Sequence, residues 1–451
     1  MSFNRHVISY LEEWKSSTNR KPLIVRGARQ VGKTTLIKKF GERYDHFILI
    51  NLEKKSNQQV FERFENAKSI LEALLLENNL DSSKIGQTLL FLDEIQESPK
   101  AIQLLRYFYE EVPELHVIAA GSLLEFALRQ VSSFPVGRVD FLYLHPMNFP
   151  EYLDALGLKA ILDHILEVPV RPEAHMVLMY HFHRYAIIGG MPEVIQKEIE
   201  TNNLADLPRV YESIWGTYKA DVEKYTRNDT ERKIIRHILN SGPLYLDQRI
   251  KFQGFGNSNY RSREVGECFR TLEDAKILRL IYPSTDLTPP VRSDLKKSPR
   301  IQLLDTGLVN HSLGIQSQLL GMDDLSQAFK GALIPHLITQ ELLSINFQTD
   351  QKPNFWVREK NQSTAEVDLI VSHQGMVIPI EIKSGSKGTL RSLHQFVDAC
   401  DHGFAVRIYG GELKLEEAKT PSGKSYLLMN LPYYLGTKVQ EYLEWFVNSG
   451  K

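Results

Sequence analysis

Gly27 to Thr34 read G-A-R-Q-V-G-K-T, two glycines five positions apart followed by a lysine and a hydroxyl residue. Enclosing a phosphate group requires this spacing. Glycines at 27 and 32 permit backbone dihedrals that other residues avoid, so successive N–H groups can turn inward onto phosphate oxygens. The helix expected to follow offers its positive end to the same anion. On this reading Gly27, Ala28, Arg29, Gln30, Val31, Gly32, Lys33, Thr34 and Thr35 line a nucleotide. Lys33 would reach the β- and γ-phosphates, and the Thr34 hydroxyl would hold Mg2+. A second segment adds hydrolysis, because the apolar run Leu89-Leu-Phe-Leu ends in Asp93 and Glu94. Asp93 is expected to complete the Mg2+ shell opposite Thr34, and Glu94 to polarise a water in line with the γ-phosphate. The expected cofactors are ATP and Mg2+.

These residues need elements to carry them. Pro22 to Arg26 is short, apolar and bounded by Pro and Gly, which predicts a buried strand; Thr35 to Gly41 has helical spacing and ends on glycine. Further runs at 47–52, 89–94 and 116–120 alternate with helical segments, one extending through Leu76 and one around 101–109. Such alternation predicts a parallel sheet with helices on both faces and the nucleotide at the carboxyl edge of the strands. Residues 1–150 are therefore read as one α/β core. Residues 151–228 read as a helical lid, broken at Gly189-Gly-Met-Pro192.

From 229 to 290 the pattern predicts three short helices, at 231–239, near Leu246–Phe252 and at 260–275, then an apolar strand at 277–281, the outline of a winged helix. Arg261, Arg263 and Arg270 on the third helix suit either DNA or RNA phosphates or a solvated helix face. A polar, basic, proline-containing stretch at 288–300 leads into a last domain, 291–451.

That domain carries a second acidic group. Two strands, 366–371 and 377–383, flank a turn at His373-Gln-Gly375. Glu381 and Lys383 share a face, being two apart, and a hairpin would bring Asp368 beside them. With Glu341 on an upstream helix, the set predicts a second divalent site, Mg2+ or Mn2+, beside a lysine, which is equipment for cutting a phosphodiester. His175, His181 and His183 do not predict a metal site, because positions two apart on a helix face different ways.

The composition excludes other classes. Across 451 residues, 54 Lys and Arg nearly balance 55 Asp and Glu, so no global charge drives the chain to nucleic acid or membrane. Two cysteines, Cys268 and Cys400, speak against a disulfide framework and for a cytoplasmic location. The N-terminus lacks a signal peptide's apolar core, and no apolar run is long enough to span a membrane.

Taken together, the chain resembles prokaryotic AAA-type P-loop ATPases fused to a C-terminal domain of unknown function with a PD-(D/E)XK nuclease-like fold. The resemblance covers nearly the whole length and is carried by Gly27–Thr35, Leu92-Asp-Glu-Ile-Gln96, Ala120-Gly-Ser122, Gly137-Arg138, Gly189–Glu193, Leu304-Asp-Thr-Gly-Leu308, Glu366–Leu369 and Pro379-Ile-Glu-Ile-Lys-Ser-Gly385. It implies an α/β AAA-type core, a helical lid, a winged-helix-like module and an α/β restriction-endonuclease-like C-terminal domain. It also implies that Ser122 senses the γ-phosphate. Arg138 either stabilises transition-state charge, within one copy or across self-associated copies, or forms a structural ion pair. Three functions stay open: an ATPase coupling nucleotide state to the nuclease-like domain, an ATP-gated nuclease, and a nucleotide-controlled interaction switch.

Overall fold

The computed structural model describes residues 3–128, 135, 137–224, 226–322, 325–358, 365–383 and 390–449. Two compact units emerge. The first takes the chain to Pro146 together with Asp274–Lys276 and Asn346–Asp350; the second takes the remainder. The helical stretch 151–228 thus shares its unit with the C-terminal strands.

The first unit is built on five parallel strands: β1 (Leu23–Arg26), β2 (His46–Asn51), β3 (Thr88–Asp93), β4 (His116–Gly121) and β5 (Asp140–Tyr143). Their order is β2-β3-β4-β1-β5. Every residue of β3 and β4 is buried, as expected for parallel strands covered on both faces. Helices Ala67–Glu77 and Pro99–Glu111 supply much of that cover through Leu71, Leu74, Leu104 and Phe108. Both start on local signals, Asn66 accepting from Ser69 N–H, and Ser98 accepting from Ala101 N–H ahead of Pro99. The α/β core and its phosphate-loop context are as the sequence predicts. The stretch through Leu76 forms two helices, Lys55–Arg63 and Ala67–Glu77. Four-residue β5 is an addition, paired with β1 from Leu23↔Asp140 to Arg26↔Tyr143.

The second unit begins with helices Phe149–Ala155, Lys159–Leu166, His175–Ile188, Pro192–Thr201 and Pro208–Glu223, interrupted at Gly189-Gly190 as predicted. In the next module helices Asp229–Ser241 and Ser262–Asp274 are present, but the helix expected near Leu246–Phe252 is not. Asp247 adopts positive φ within that stretch, and Gly254, Gly256 and Asn257 do so just beyond, which interrupts helical backbone. Leu246 and Arg249 instead bridge to Ile301 and Arg300. Strand β6 (Leu278–Ile281), followed by β7 (Pro283–Ser284), pairs antiparallel with β8 (Arg300–Leu303).

A mixed sheet of seven strands closes the unit. It uses β7, β9 (Asn354–Val357), β10 (Glu366–His373), β11 (Met376–Ile382), β12 (Phe404–Tyr409), β13 (Lys414–Lys419) and β14 (Ser425–Pro432), ordered β13-β14-β12-β11-β10-β9-β7. The predicted hairpin is β10–β11, with Leu369↔Ile380 and Val371↔Ile378 in antiparallel register and Gln374 and Gly375 at positive φ in its turn.

Asp305, at the start of helix Thr306–Leu313, explains two sequence signatures at once. Its carboxylate accepts Leu308 N–H at 3.0 Å as the helix cap and Gly190 N–H at 2.6 Å from the Gly189-Gly190 turn. Asn310 Nδ2 reaches the Ala186 and Ile187 carbonyls at 2.8 and 3.1 Å. The backbones approach so closely that a Cβ at Gly307 would lie 1.9 Å from the Ile188 carbonyl oxygen.

We therefore expect Gly307→Ala to destabilise the second unit by about 1–3 kcal/mol, because backbone must move to admit the methyl group. Gly86→Ala, where nothing lies within 4 Å, should stay within about 0.5 kcal/mol of wild type. Urea unfolding followed by tryptophan fluorescence tests the contrast, and equal midpoints for the two variants would contradict it.

Candidate functional site

The phosphate-loop residues stand at the carboxyl ends of β1, β3 and β4. The loop leaves β1 at Arg26 and enters helix Lys33–Gly41, with Gly27, Gln30 and Gly32 at φ 151°, 65° and 97°. At Gly27 no side chain fits, since a Cβ would meet the Leu144 carbonyl oxygen at 2.3 Å. Arg5, buried beneath the loop, donates to the Val31 carbonyl at 2.9 Å and to the His145 carbonyl at 2.6 Å.

Lys33 is buried, and its ammonium donates to the carbonyls of Gly27 and Ala28 at 3.0 and 2.8 Å. Burial pulls its pKa down to about 8, against the opposing influence of Glu94 and Asp93. Thr34 Oγ1 lies 3.1 and 3.0 Å from the two oxygens of Asp93, at the end of β3. Burial raises the Asp93 pKa, with the Thr34 hydrogen bond acting the other way. Glu94 follows in a left-handed backbone conformation, φ 52°, and its Oε2 accepts from Gln96 Nε2 at 2.6 Å. Ser122, just past β4, is buried, and its Oγ finds no partner; nor do Gln96 Oε1 and Gln30 Oε1. Arg29 approaches Glu53 at 3.6 Å, Ala28 and Val31 are buried, and Thr35 is exposed.

In the second unit the hairpin does bring Asp368, Glu381 and Lys383 together. Asp368 Oδ2 accepts Ile382 N–H at 2.8 Å, and Lys383 Nζ lies 2.6 Å from Glu381 Oε1. Arg300 also enters this group. Its Nη1 donates to Asp247 at 2.6 Å, its Nε to Glu366 at 2.9 Å, its Nη2 also to Glu366, and Nη2 stands 3.6 Å from Asp368 Oδ1. Burial works against the Arg300 cation, but Asp247, Asp368 and Glu366 outweigh it and keep the pKa above its usual value. Burial pushes Asp247 and Glu381 up.

Glu341 does not join them. Its oxygens are engaged by Phe149 N–H at 3.1 Å and the Tyr185 hydroxyl at 2.7 Å, because helix Leu333–Ile345 buries that face among the unit's other helices. Among the described residues no group of three or more His, Cys, Asp or Glu side chains is placed to hold a metal ion. Ser384 and Gly385, the end of that strand's signature, lie outside the described residues.

Residues 19–153 match the family described as an AAA domain. The chain carries an AAA-type P-loop ATPase domain. Residues 179–319 and 330–433 match two domains of unknown function, DUF8612 and DUF4143. No curated protein matches. Among solved structures the chain is similar to a Walker-type ATPase of Pyrococcus abyssi, at 16% identity and TM-score 0.44 over 69% of this chain and 96% of that one. It is also similar to a signal-transduction ATPase with numerous domains, carrying a tetratricopeptide repeat sensor, from Pyrococcus horikoshii. There identity is 11% and TM-score 0.27, over 74% of this chain and 47% of that one.

Within the ATPase domain, Arg138 is exposed and paired with Glu110 at 2.9 Å, a carboxylate shared with Arg106 at 3.0 Å. Exposed pairs of this kind contribute about 0–1 kcal/mol, so the guanidinium is held only loosely. Gln96 lies inside the Leu92–Gln96 signature, where spacing alone gives it no task, and Arg5 carries no sequence signal at all. Arg300 and Asp247 were equally silent, one inside a basic linker and the other inside a supposed helix.

The Glu341 neighbourhood yields a pH signature. The single Tyr185 hydroxyl hydrogen cannot serve both Glu341 and the Met147 carbonyl, which stands 2.9 Å away. A protonated Glu341 resolves the count by donating to Tyr185. Burial raises its pKa from 4.5 to about 8. A carboxyl raised on folding stabilises the fold fully below the unfolded value and loses that contribution as pH climbs through the folded one. Asp305, raised by burial to about 6, acts in the same direction over a lower range. The melting midpoint of the second unit should therefore fall between pH 6 and 8, and Glu341→Gln should flatten that slope. Parallel slopes for the two proteins would refute the assignment.

Proposed function

We propose that this chain binds ATP with Mg2+, hydrolyses it at the loop between β1 and helix Lys33–Gly41, and uses the nucleotide state to change what the second unit binds. The observation that carries the reading is the Thr34–Asp93 contact of 3.0–3.1 Å beside a buried Lys33 whose donors meet only backbone carbonyls. A buried ammonium without a carboxylate bonded to it suits an incoming anion, and Ser122 Oγ, buried and unpaired, suits a phosphate oxygen. Thr34 and Asp93 are the residues that would hold Mg2+. When bound, the ion neutralises charge developing on the transferring phosphoryl group.

The chain's own groups divide the remaining work. The N–H groups of Gly27 to Thr35 and the Lys33 ammonium hold and orient the phosphates. Glu94 takes the proton of the attacking water, with Gln96 fixing its Oε2 at 2.6 Å. Ser122 contacts the γ-phosphate. Arg138, loosely held by Glu110, adds positive charge within one copy or to a neighbouring one.

The C-terminal strands are read as a restriction-endonuclease-like fold that binds its partner, nucleic acid or protein, without cutting. The pairing of Glu381 with Lys383 and of Asp247 and Glu366 with Arg300 supports binding over cleavage. In residues 229–290 the missing middle helix supports a packing module over a DNA-reading winged helix, as does the Arg263–Glu267 pair on the third helix.

Lys33→Ala should abolish ATP binding and hydrolysis. Glu94→Gln should keep binding but lower the turnover rate by about 10²–10⁴; wild-type turnover from that variant would remove Glu94 from its role. The Lys33 pKa of about 8 adds a further expectation. Between pH 8 and 9 the free ammonium is partly deprotonated, whereas phosphate favours the charged form, so nucleotide binding should take up a proton. Calorimetry in buffers of different ionisation enthalpy measures this. An uptake of zero would mean that Lys33 does not meet the phosphates.

A further inference from the structure

The carboxylates on and around β10 and β11 already have a cation. Arg300 rises from β8 into a group formed by Asp247 on one loop and Glu366 and Asp368 on β10, donating to the first two and standing 3.6 Å from the third. Its guanidinium lies over the Phe355 ring, 4.6 Å from the centroid, which fixes the plane of the fork. Loop 246–250 is held to β8 beside it, with Ile250 N–H on the Pro299 carbonyl at 2.8 Å. The free space bordering Asp247, Arg300, Asp368 and Thr339 amounts to about 20 Å³. That admits one water, whereas Mg2+ keeps several.

Charge and spacing both work against a metal here. A divalent ion needs carboxylate oxygens about 2.0–2.6 Å away, close enough to draw the groups inward. Arg300 bonds one oxygen each of Asp247 and Glu366 and faces one Asp368 oxygen, while Ile382 N–H takes the other Asp368 oxygen. Lys383 takes Glu381 Oε1. Glu381 Oε2 is the one oxygen of Asp368 and Glu381 without a contact, buried and with no hydrogen-bond partner. One open oxygen on that pair does not make a metal site while Arg300 neutralises the neighbouring carboxylates; further oxygens would be freed if the guanidinium left.

We infer that Arg300 stands permanently where a divalent cation would otherwise bind, so that the carboxylates of Asp247, Glu366 and Asp368 fasten loop 246–250 to the C-terminal sheet without metal. The Asp368–Glu381–Lys383 constellation is thereby a locked, metal-independent structural joint. Removing the guanidinium opens a latent metal site there. This rests on the nuclease-like, non-cutting reading only for what the fold resembles. Its test uses neither nucleotide nor cleavage, so the two ideas fail separately.

The experiment compares Mn2+ binding by the full chain without nucleotide, from the loss of the free-ion paramagnetic resonance signal, in wild type, Asp368→Asn, Arg300→Gln and the double variant. Wild type and Asp368→Asn should give the same isotherm. Arg300→Gln should bind Mn2+ at least about tenfold more tightly than wild type, as expected once three clustered, partly buried carboxylates lose their shared counterion. The double variant should lose that gain, and Mn2+ should raise the melting temperature of Arg300→Gln alone. Asp368-dependent Mn2+ binding by wild type would overturn the proposal, as would a folded Arg300→Gln protein with no such gain. If Arg300→Gln does not fold, the wild-type and Asp368→Asn isotherms decide: coincidence supports the proposal and divergence refutes it.

Discussion

A charge taken out of water has to meet an opposite charge or strong dipoles, and this chain satisfies that constraint in two contrasting ways. In the first unit Lys33 is buried with two carbonyl oxygens for partners, and its pKa falls accordingly. In the second, Arg300 is half-buried among three carboxylates, and they hold its pKa above the usual value. The first arrangement leaves the ammonium without a bonded counter-charge, which an anion would supply. The second has more carboxylates than cations and gains nothing from an anion. Ligand responsiveness therefore concentrates around the phosphate loop.

The sheet order makes that loop possible. Because β4 lies between β1 and β3, the ends of all three strands meet: Arg26 pairs with Gly121, and Asp93 pairs with Ala120. A one-strand change in order would separate Thr34 from Asp93. In the second unit the equivalent organiser is Asp305, whose short bonds to Gly190 and Leu308 join two segments more than a hundred residues apart. Glycines at 190 and 307 follow from that contact, since the backbones there leave no room for a side chain.

What could be read from the sequence tracks how local the determining interactions are. The phosphate loop, the acid-ended strand and the β10–β11 hairpin were legible because spacing, alternation and turn residues fix them within some twenty positions. Asp368, Glu381 and Lys383 came together for the same reason. Glu341 was misplaced because its partners Phe149 and Tyr185 lie 192 and 156 residues away, and helical spacing carries no record of them. The helix expected near Leu246–Phe252 does not form, because Asp247 and the Gly254, Gly256 and Asn257 turn formers beside it take positive φ. Arg300 left no trace, since a basic residue after a proline reads as an ordinary linker. Only the convergence of three segments identifies it.

The same locality bears on how nucleotide state would be sensed. A ligand shifts a conformational equilibrium only through groups it contacts differently in the two states. Around the loop such groups are few: Ser122 Oγ and Gln96 Oε1, both buried and unsatisfied, and Glu94, held at φ 52° where a non-glycine residue carries about 1–3 kcal/mol of strain. Gln96 ties them together. Its amide nitrogen holds Glu94, and its oxygen faces Gly121, where a Cβ would come within 2.5 Å. A phosphate oxygen reaching Ser122 would alter the surroundings of that amide and so of the Glu94 carboxylate. Sensing and water activation would then pass through one glutamine side chain, and hydrolysis would wait on a γ-phosphate seated against the end of β4.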